Sequence, residues 1–98
     1  MFVLLIDTPR WPAHGRLWAH LVSDVSYAEL HVFAELLGVP RRGFERDHYD
    51  VVAERVPVAI WLGATLVPSR EIVERLQAAG LRRPRHIFAG TPLRARNS

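Results

Sequence analysis

Hydrophobic positions along this chain come in short blocks whose period changes from one block to the next. Residues 2–6 form an unbroken apolar run stopped by Asp7-Thr8-Pro9, which predicts a buried first strand. Residues 10–16 contain Pro12 and Gly15 and predict a bent loop that presents Arg10, Trp11, His14 and Arg16. Residues 17–22 alternate, which places Trp18, His20 and Val22 on one face of a second strand and Leu17, Ala19 and Leu21 on the other.

The period then lengthens to that of a helix. Ser26 and Glu29 have the spacing of a capping box, with Val25 and Leu30 at the positions of a hydrophobic staple. Leu30, Phe33, Ala34 and Leu37 share one stripe, and Gly38 before Val39-Pro40 supplies a left-handed stop. Residues 41–46 read as a charged loop leading to Asp47-His48-Tyr49-Asp50-Val51-Val52, whose second half predicts a third strand. Residues 53–62 fit a buried helix with Pro57 in its first turn, where the missing N–H matters little. A hairpin of 58–62 with 65–67, turning at Gly63-Ala64, is the alternative; the helix followed by a short strand at 65–67 is preferred. Ser69 is expected to cap a last helix with Ile72, Val73, Leu76 and Ala79 inward and Gly80 closing it. The order β-β-α-β-α-β-α predicts an α/β fold: a three- to four-stranded mixed sheet with about three helices packed on it. The domain is expected over residues 1–80. Residues 81–98 are expected to form a loosely ordered basic tail, in which His86-Ile87-Phe88-Ala89 has the pattern of a short docking strand.

Composition sharpens this picture. Ninety-eight residues, 49% of them hydrophobic, fit one domain with a real core, and a domain so small gains from hiding further apolar surface in a homodimer. The absence of cysteine excludes disulfides, thiolate zinc sites and a Cys nucleophile. The apolar start meets Asp7 too soon for a signal peptide, and no run approaches a membrane span, so a cytoplasmic location is expected. The net charge of +3 is uneven, because residues 81–98 carry five Arg and no acid while the first 80 residues are mildly acidic. Every basic residue is Arg. That suits phosphate recognition, although G- and C-rich coding explains it first.

Several side chains carry possible chemistry. In an extended strand His48 and Asp50 share one face and Asp47 and Tyr49 the other, so His48 with Asp50 offers a divalent-metal pair or a base with its orienting partner. The bland alternative is that these residues hydrogen-bond a loop and cap turns, and the sequence leaves both open. His20 with Asp24 is a second candidate pair, against a role for Asp24 at the first helix N-terminus. His31, beside the apolar stripe, is expected to be a packed or surface residue of the helix rather than a ligand. Asp7 ends the first strand, where α/β sheets often bind ligands, or it pairs with Arg10 or Arg16 to pin the loop. Arg41-Arg42 beside Gly43 is a candidate phosphate contact. No HExxH pair, regular zinc spacing, glycine-rich phosphate loop or GxSxG elbow is present.

Taken together, the strings Asp7-x-Pro9-Arg10-Trp11-Pro12-x-His14-Gly15-Arg16, Trp18-x-His20-Leu21-x-Ser23-Asp24, Glu29-Leu30-His31-x-Phe33-Ala34, Gly38-x-Pro40-Arg41, Asp47-His48-Tyr49-Asp50 and Gly63-Ala64 resemble the small bacterial and phage family known as domain of unknown function 4031. The resemblance spans about residues 3 to 80. It implies a fold and an ordered motif set rather than an activity, with a lean towards nucleotide or nucleic-acid metabolism.

Three functions follow as expectations. The first is a module binding a phosphate-bearing ligand, a nucleotide or nucleic acid, through Asp7, Arg10, His14, Arg16, His20, Arg41, His48, Tyr49 and Asp50. Second comes a metal-dependent hydrolase in which Asp7, His20, His48 and Asp50 bind a divalent ion. The third is an interaction or accessory subunit that uses the apolar run 56–62 as a dimer surface.

Overall fold

The computed structural model describes residues 3–83. In chain order these form strands β1 (Leu4–Ile6), β2 (Trp11–Ala13) and β3 (Arg16–Ser23), and helix α1 (Tyr27–Leu37). A 3₁₀ turn at Arg41–Gly43 leads to β4 (Phe44–Glu45) and β5 (His48–Val52). A second 3₁₀ turn at Ala53–Arg55 runs into α2 (Val56–Trp61), followed by β6 (Thr65–Leu66) and α3 (Ser69–Ala78). The α/β class stands as expected. The sheet has six strands rather than three or four, in the order β4-β5-β3-β1-β6, with β2 also paired to β3. Among the described residues only β1 and β6 run parallel.

The extra strands arise where proline and charge masked them. Residues 11–13 are not loop but β2, joined to β3 through His14-Gly15 with φ of 52° and 73°. That pair of left-handed residues is the geometry of a two-residue hairpin turn, and Gly15 accepts it without a steric penalty. Pro12 is tolerated because β2 pairs on one side only, so its missing N–H interrupts no ladder. Between β1 and β2 the chain bulges. Ile6 faces Leu21 and Trp11 faces Trp18, so four residues, Asp7 to Arg10, oppose only Ala19 and His20.

Two helical layers cover the sheet. On one face Leu4, Ile6, Ala19, Leu21, Tyr49 and Val51 meet Leu30, Phe33, Ala34 and Leu37 of α1 and Val56 and Ala59 of α2. Each such buried Leu or Phe contributes about 1.5–3 kcal/mol relative to exposure. On the other face Leu5 and Val22 meet Ile72 and Leu76 of α3, joined by Leu81. Helix α3 reaches β1 and β3 but leaves the same face of β3 and β5 open further along. Trp18, His20, His48 and Asp50 stand on that open area.

The helix ends differ from expectation in instructive ways. Ser26 caps α1 by accepting from Glu29 N–H at 3.1 Å, but the Glu29 carboxylate takes the Ser23 hydroxyl at 3.3 Å instead of closing the box. Val25 stands 53% exposed rather than stapled. Gly38 closes α1 with φ of 87°, as expected. At α3 the N-cap is Pro68, and Ser69 lies inside the first turn with its hydroxyl turned elsewhere. Of its expected inward set, Ile72 and Leu76 are buried and Ala79 is exposed. Helix α2 forms where the helix was preferred over the hairpin, yet it buries only Val56 and Ala59 and leaves Trp61 83% exposed. No helix among the described residues is long and apolar enough to cross a membrane. The short strand expected at residues 86–89 lies outside the described residues.

Candidate functional site

The register of β3 with β5 builds the site. His20 pairs directly with Asp50, and His48 lies two residues before Asp50, so all three project from one face. One donor atom from each of His20, His48 and Asp50 lies within 4.8 Å of the other two. The His20 and His48 rings meet edge to face with centroids 4.9 Å apart, and Trp11 leans on His20 at 5.1 Å.

Each imidazole is backed by a buried carboxylate. Asp7, fully buried in the bulge after β1, accepts the His20 backbone N–H at 2.6 Å and the Ser69 hydroxyl at 2.6 Å, and its Oδ2 lies 2.9 Å from His20 Nδ1. Asp47, also fully buried, places Oδ1 2.9 Å from His48 Nδ1 and accepts the Arg83 backbone N–H at 3.1 Å. Arg82 stands 3.6 Å from the same carboxylate. A carboxylate only accepts, so Nδ1 of each ring carries the proton and Nε2 is the nitrogen left for other work. His48 Nε2 lies 3.3 Å from Asp50 Oδ1.

The electrostatics follow from these contacts. Burial pushes the Asp7 carboxyl up, but the hydrogen bonds from the His20 side chain and backbone and from Ser69 outweigh it and hold the group below its usual 3.8. Asp47 is likewise held down, against the effect of burial, by His48, by the Arg83 N–H and by the charge of Arg82. For His48, burial opposes the charged ring, yet hydrogen bonds to Asp47 and Asp50 and their negative charges raise it to about 9. At neutral pH the ion-free protein therefore carries His48 as an imidazolium that donates from both nitrogens.

A cleft of about 800 Å³ opens beside this centre, walled by Trp11, His14 and Trp18 on one side and by Pro40, Arg42 and Arg55 on the other. The Trp18 indole N–H donates to the Ala13 carbonyl at 2.9 Å, which fixes the ring against the β2–β3 turn. Arg46 occupies the tight β4–β5 turn with φ of 57°, and its Nε is buried with no hydrogen bond among the described residues.

Of the residues singled out in the sequence, Asp7, His20, His48 and Asp50 come together, with His14 at the cleft wall. Asp7 stands behind His20 rather than among the three converging donors. Arg10, Arg16 and Arg41 line neither this cleft nor its smaller neighbour. Tyr49 points to the opposite face, where its hydroxyl meets His31 Nδ1 at 2.8 Å. Of the two roles expected for His31, packed or surface, the structure shows the packed one, and burial, with the charge of Arg41, lowers its pKa. Asp24 does not pair with His20; it takes Arg75 at 2.9 Å. Sequence reasoning missed the orienting role of Asp47, the hydroxyl of Ser69, and Arg42, Arg46 and Arg55 as a cationic set. Adjacent His and Asp in a tight turn give no periodic signal, and only Arg42 was singled out, as half of a charged pair.

Two carboxylate-oriented imidazoles and a third carboxylate, half open to solvent beside arginines, define a small α/β protein with a polar centre on its sheet. The chain belongs to the family described as "Protein of unknown function (DUF4031)", whose profile matches residues 4–79. No curated protein and no solved structure matches it.

Proposed function

We propose that His20, His48 and Asp50 hold a divalent transition-metal ion and that the protein is a metal-dependent hydrolase of a phosphate ester. The observation that carries this reading is the paired backing of both rings: Asp7 and Asp47 each hold a histidine through Nδ1, while His48 Nε2 lies 3.3 Å from Asp50 and a donor atom of each of His20, His48 and Asp50 falls within 4.8 Å of the others. Carboxylate–histidine–metal relays are how proteins fix the tautomer and basicity of a ligating ring. Ligands about 2.1 Å from one ion stand about 3.0–3.4 Å apart, the spacing His48 and Asp50 already have at 3.3 Å. Rotations of roughly an ångström bring His20 to the same spacing. Three protein ligands with open positions are typical of catalytic rather than structural ions. The ion's contribution is to lower the pKa of a bound water. With such an ion held by His20, His48 and Asp50, water would add to phosphorus as the ester P–O bond breaks, and the proton that the water loses would pass to the departing oxygen. Arg46 and Arg42 beside the centre suit the charge of a phosphate, which favours this chemistry over oxygen activation at the same ligand set.

The arginines also support a second reading, a module that binds a phosphate-bearing ligand without turning it over. Titration with manganese, followed by electron paramagnetic resonance and calorimetry, tests the first. About one ion per chain is expected, lost in His20→Ala and His48→Ala, together with manganese-dependent cleavage of bis(p-nitrophenyl) phosphate. An ion bound without cleavage favours the second reading. No ion bound to the parent protein sinks the metal centre.

A further inference from the structure

The 800 Å³ cleft has a neighbour. A second cleft of about 360 Å³ lies against α3, with Ser69, Arg70, Val73 and Arg82 in its wall. The two share Trp11, His20, Arg46 and His48, so the imidazoles stand at the junction between them. Resting on the metal reading above, we propose that the two clefts form one path for a single-stranded nucleic acid, which crosses the His20–His48 junction with a phosphodiester at the metal site.

Cations flank the junction on both sides. Arg42 and Arg55 lie in the larger cleft, Arg70 and Arg82 in the smaller, and Arg46 lines both. A mononucleotide has its phosphate in one place and reaches the arginines of one cleft only, whereas a polynucleotide carries a phosphate at every residue and reaches both, Arg70 in the smaller cleft included, where Arg82 already faces Asp47. Arg46 is the arginine common to both clefts, with its Nε 3.7 Å from the Glu45 carboxylate, so its guanidinium stands at the junction where the central phosphate would cross. Trp11, 43% exposed, and Trp18 supply indole faces beside the path, and base stacking on such faces is how single strands are held without sequence preference. A duplex hides its base faces and leaves the tryptophans nothing to stack on.

The test is fluorescence anisotropy on the full chain in EDTA, where no metal-dependent cleavage competes. The probes are a short labelled single-stranded DNA, the duplex of the same sequence, and a mononucleotide. The single strand should bind about tenfold or more tighter than either competitor, and more weakly as salt rises. Arg42→Ala and Arg70→Ala, exposed positions in separate clefts, should each weaken it several-fold and lower the salt slope by about one, with unchanged circular dichroism. Trp11→Leu should weaken it roughly fivefold or more and reduce tryptophan quenching, leaving the share that comes from Trp18. Equal binding of the mononucleotide, preference for the duplex, or an Arg70→Ala protein that binds like the parent would each overturn the path. Manganese binding is read separately. An ion bound with no preference for the single strand leaves the metal centre standing and overturns the path. A single-strand preference with no ion bound keeps the path and removes the metal.

Discussion

Replacing Asp7 separates what the buried carboxylate does for the fold from what it does for the site. In Asp7→Ala two half-buried donors, the His20 backbone N–H and the Ser69 hydroxyl, lose a charged acceptor at 2.6 Å each. Hydrogen bonds to charged groups contribute about 1.5–3 kcal/mol apiece. The His20 ring is partly exposed and rehydrates, so its arm is discounted. The expected loss is therefore about 3–4 kcal/mol. For a domain of this size that is a fall in Tm of roughly 15–25 °C. Asp7→Asn keeps the Oδ1 acceptor for the His20 N–H and fills the same volume, so it should cost only about 1 kcal/mol. Its amide, however, donates towards His20 Nδ1 and drives the ring proton onto Nε2, the nitrogen proposed for the ion. Manganese affinity should then fall by about 10- to 100-fold in a protein that is still folded. Urea unfolding and manganese titration of both variants supply the two numbers. An Asp7→Asn protein that binds manganese like the parent, or an Asp7→Ala protein as stable as the parent, would refute the reasoning. The acid limb adds a check. The folded Asp7 carboxyl lies below 3.8, so its stabilisation is present above the unfolded value and lost as pH falls through the folded one. Asp7→Ala should flatten that limb.

Three further outcomes are expected. The folded pKa of His48 is raised from 6.5 to about 9, so in ion-free protein its stabilisation is full below about 6.5 and is lost as pH rises through about 9; urea midpoints across that window should fall for the parent and stay level for His48→Gln. Gly38→Ala must hold φ of 87° with a side chain and should destabilise by about 1 kcal/mol in the same assay. Trp61→Ser should change thermal stability by less than about 0.5 kcal/mol, because this indole is 83% exposed; a larger loss in dilute solution would show that its surface is covered.

Much of the architecture was legible because burial writes a period into the chain. The alternation of residues 17–22 and the stripe Leu30, Phe33, Ala34, Leu37 mark a strand and a helix that the structure contains. The same alternation puts His48 and Asp50 on one face, which is how they meet His20. The partner of His20 was not legible. Along one strand Asp24 is the nearest acid of matching parity, but the bulge at residues 7–10 carries Asp7 across the ladder to the ring, and bulges leave no mark in hydrophobic spacing. Strand β2 was hidden by Pro12, which reads as a breaker unless the strand is known to pair on one side only. Ser69 carried the residue type of a cap, yet the chain enters α3 one residue earlier at Pro68, and the freed hydroxyl serves Asp7. Arg46 and Arg55 lie far apart in sequence from Trp11 and Trp18, and only the packed sheet brings their clefts into being.

The pairing of β3 with β5 has a dynamic consequence. His20 and Asp50 face each other across the central ladder, and a slip of one residue would turn Asp50 and His48 into the face packed by α1 and α2. The triad thus has no local way to come apart, and its opening is tied to the breathing of the whole domain. Amide hydrogen exchange at Ala19, Leu21 and Val51 should be as slow as the most protected amides in the chain. A centre whose geometry is set by the ladder leaves adjustment to the exposed side chains at its rim, Arg42 and Arg70.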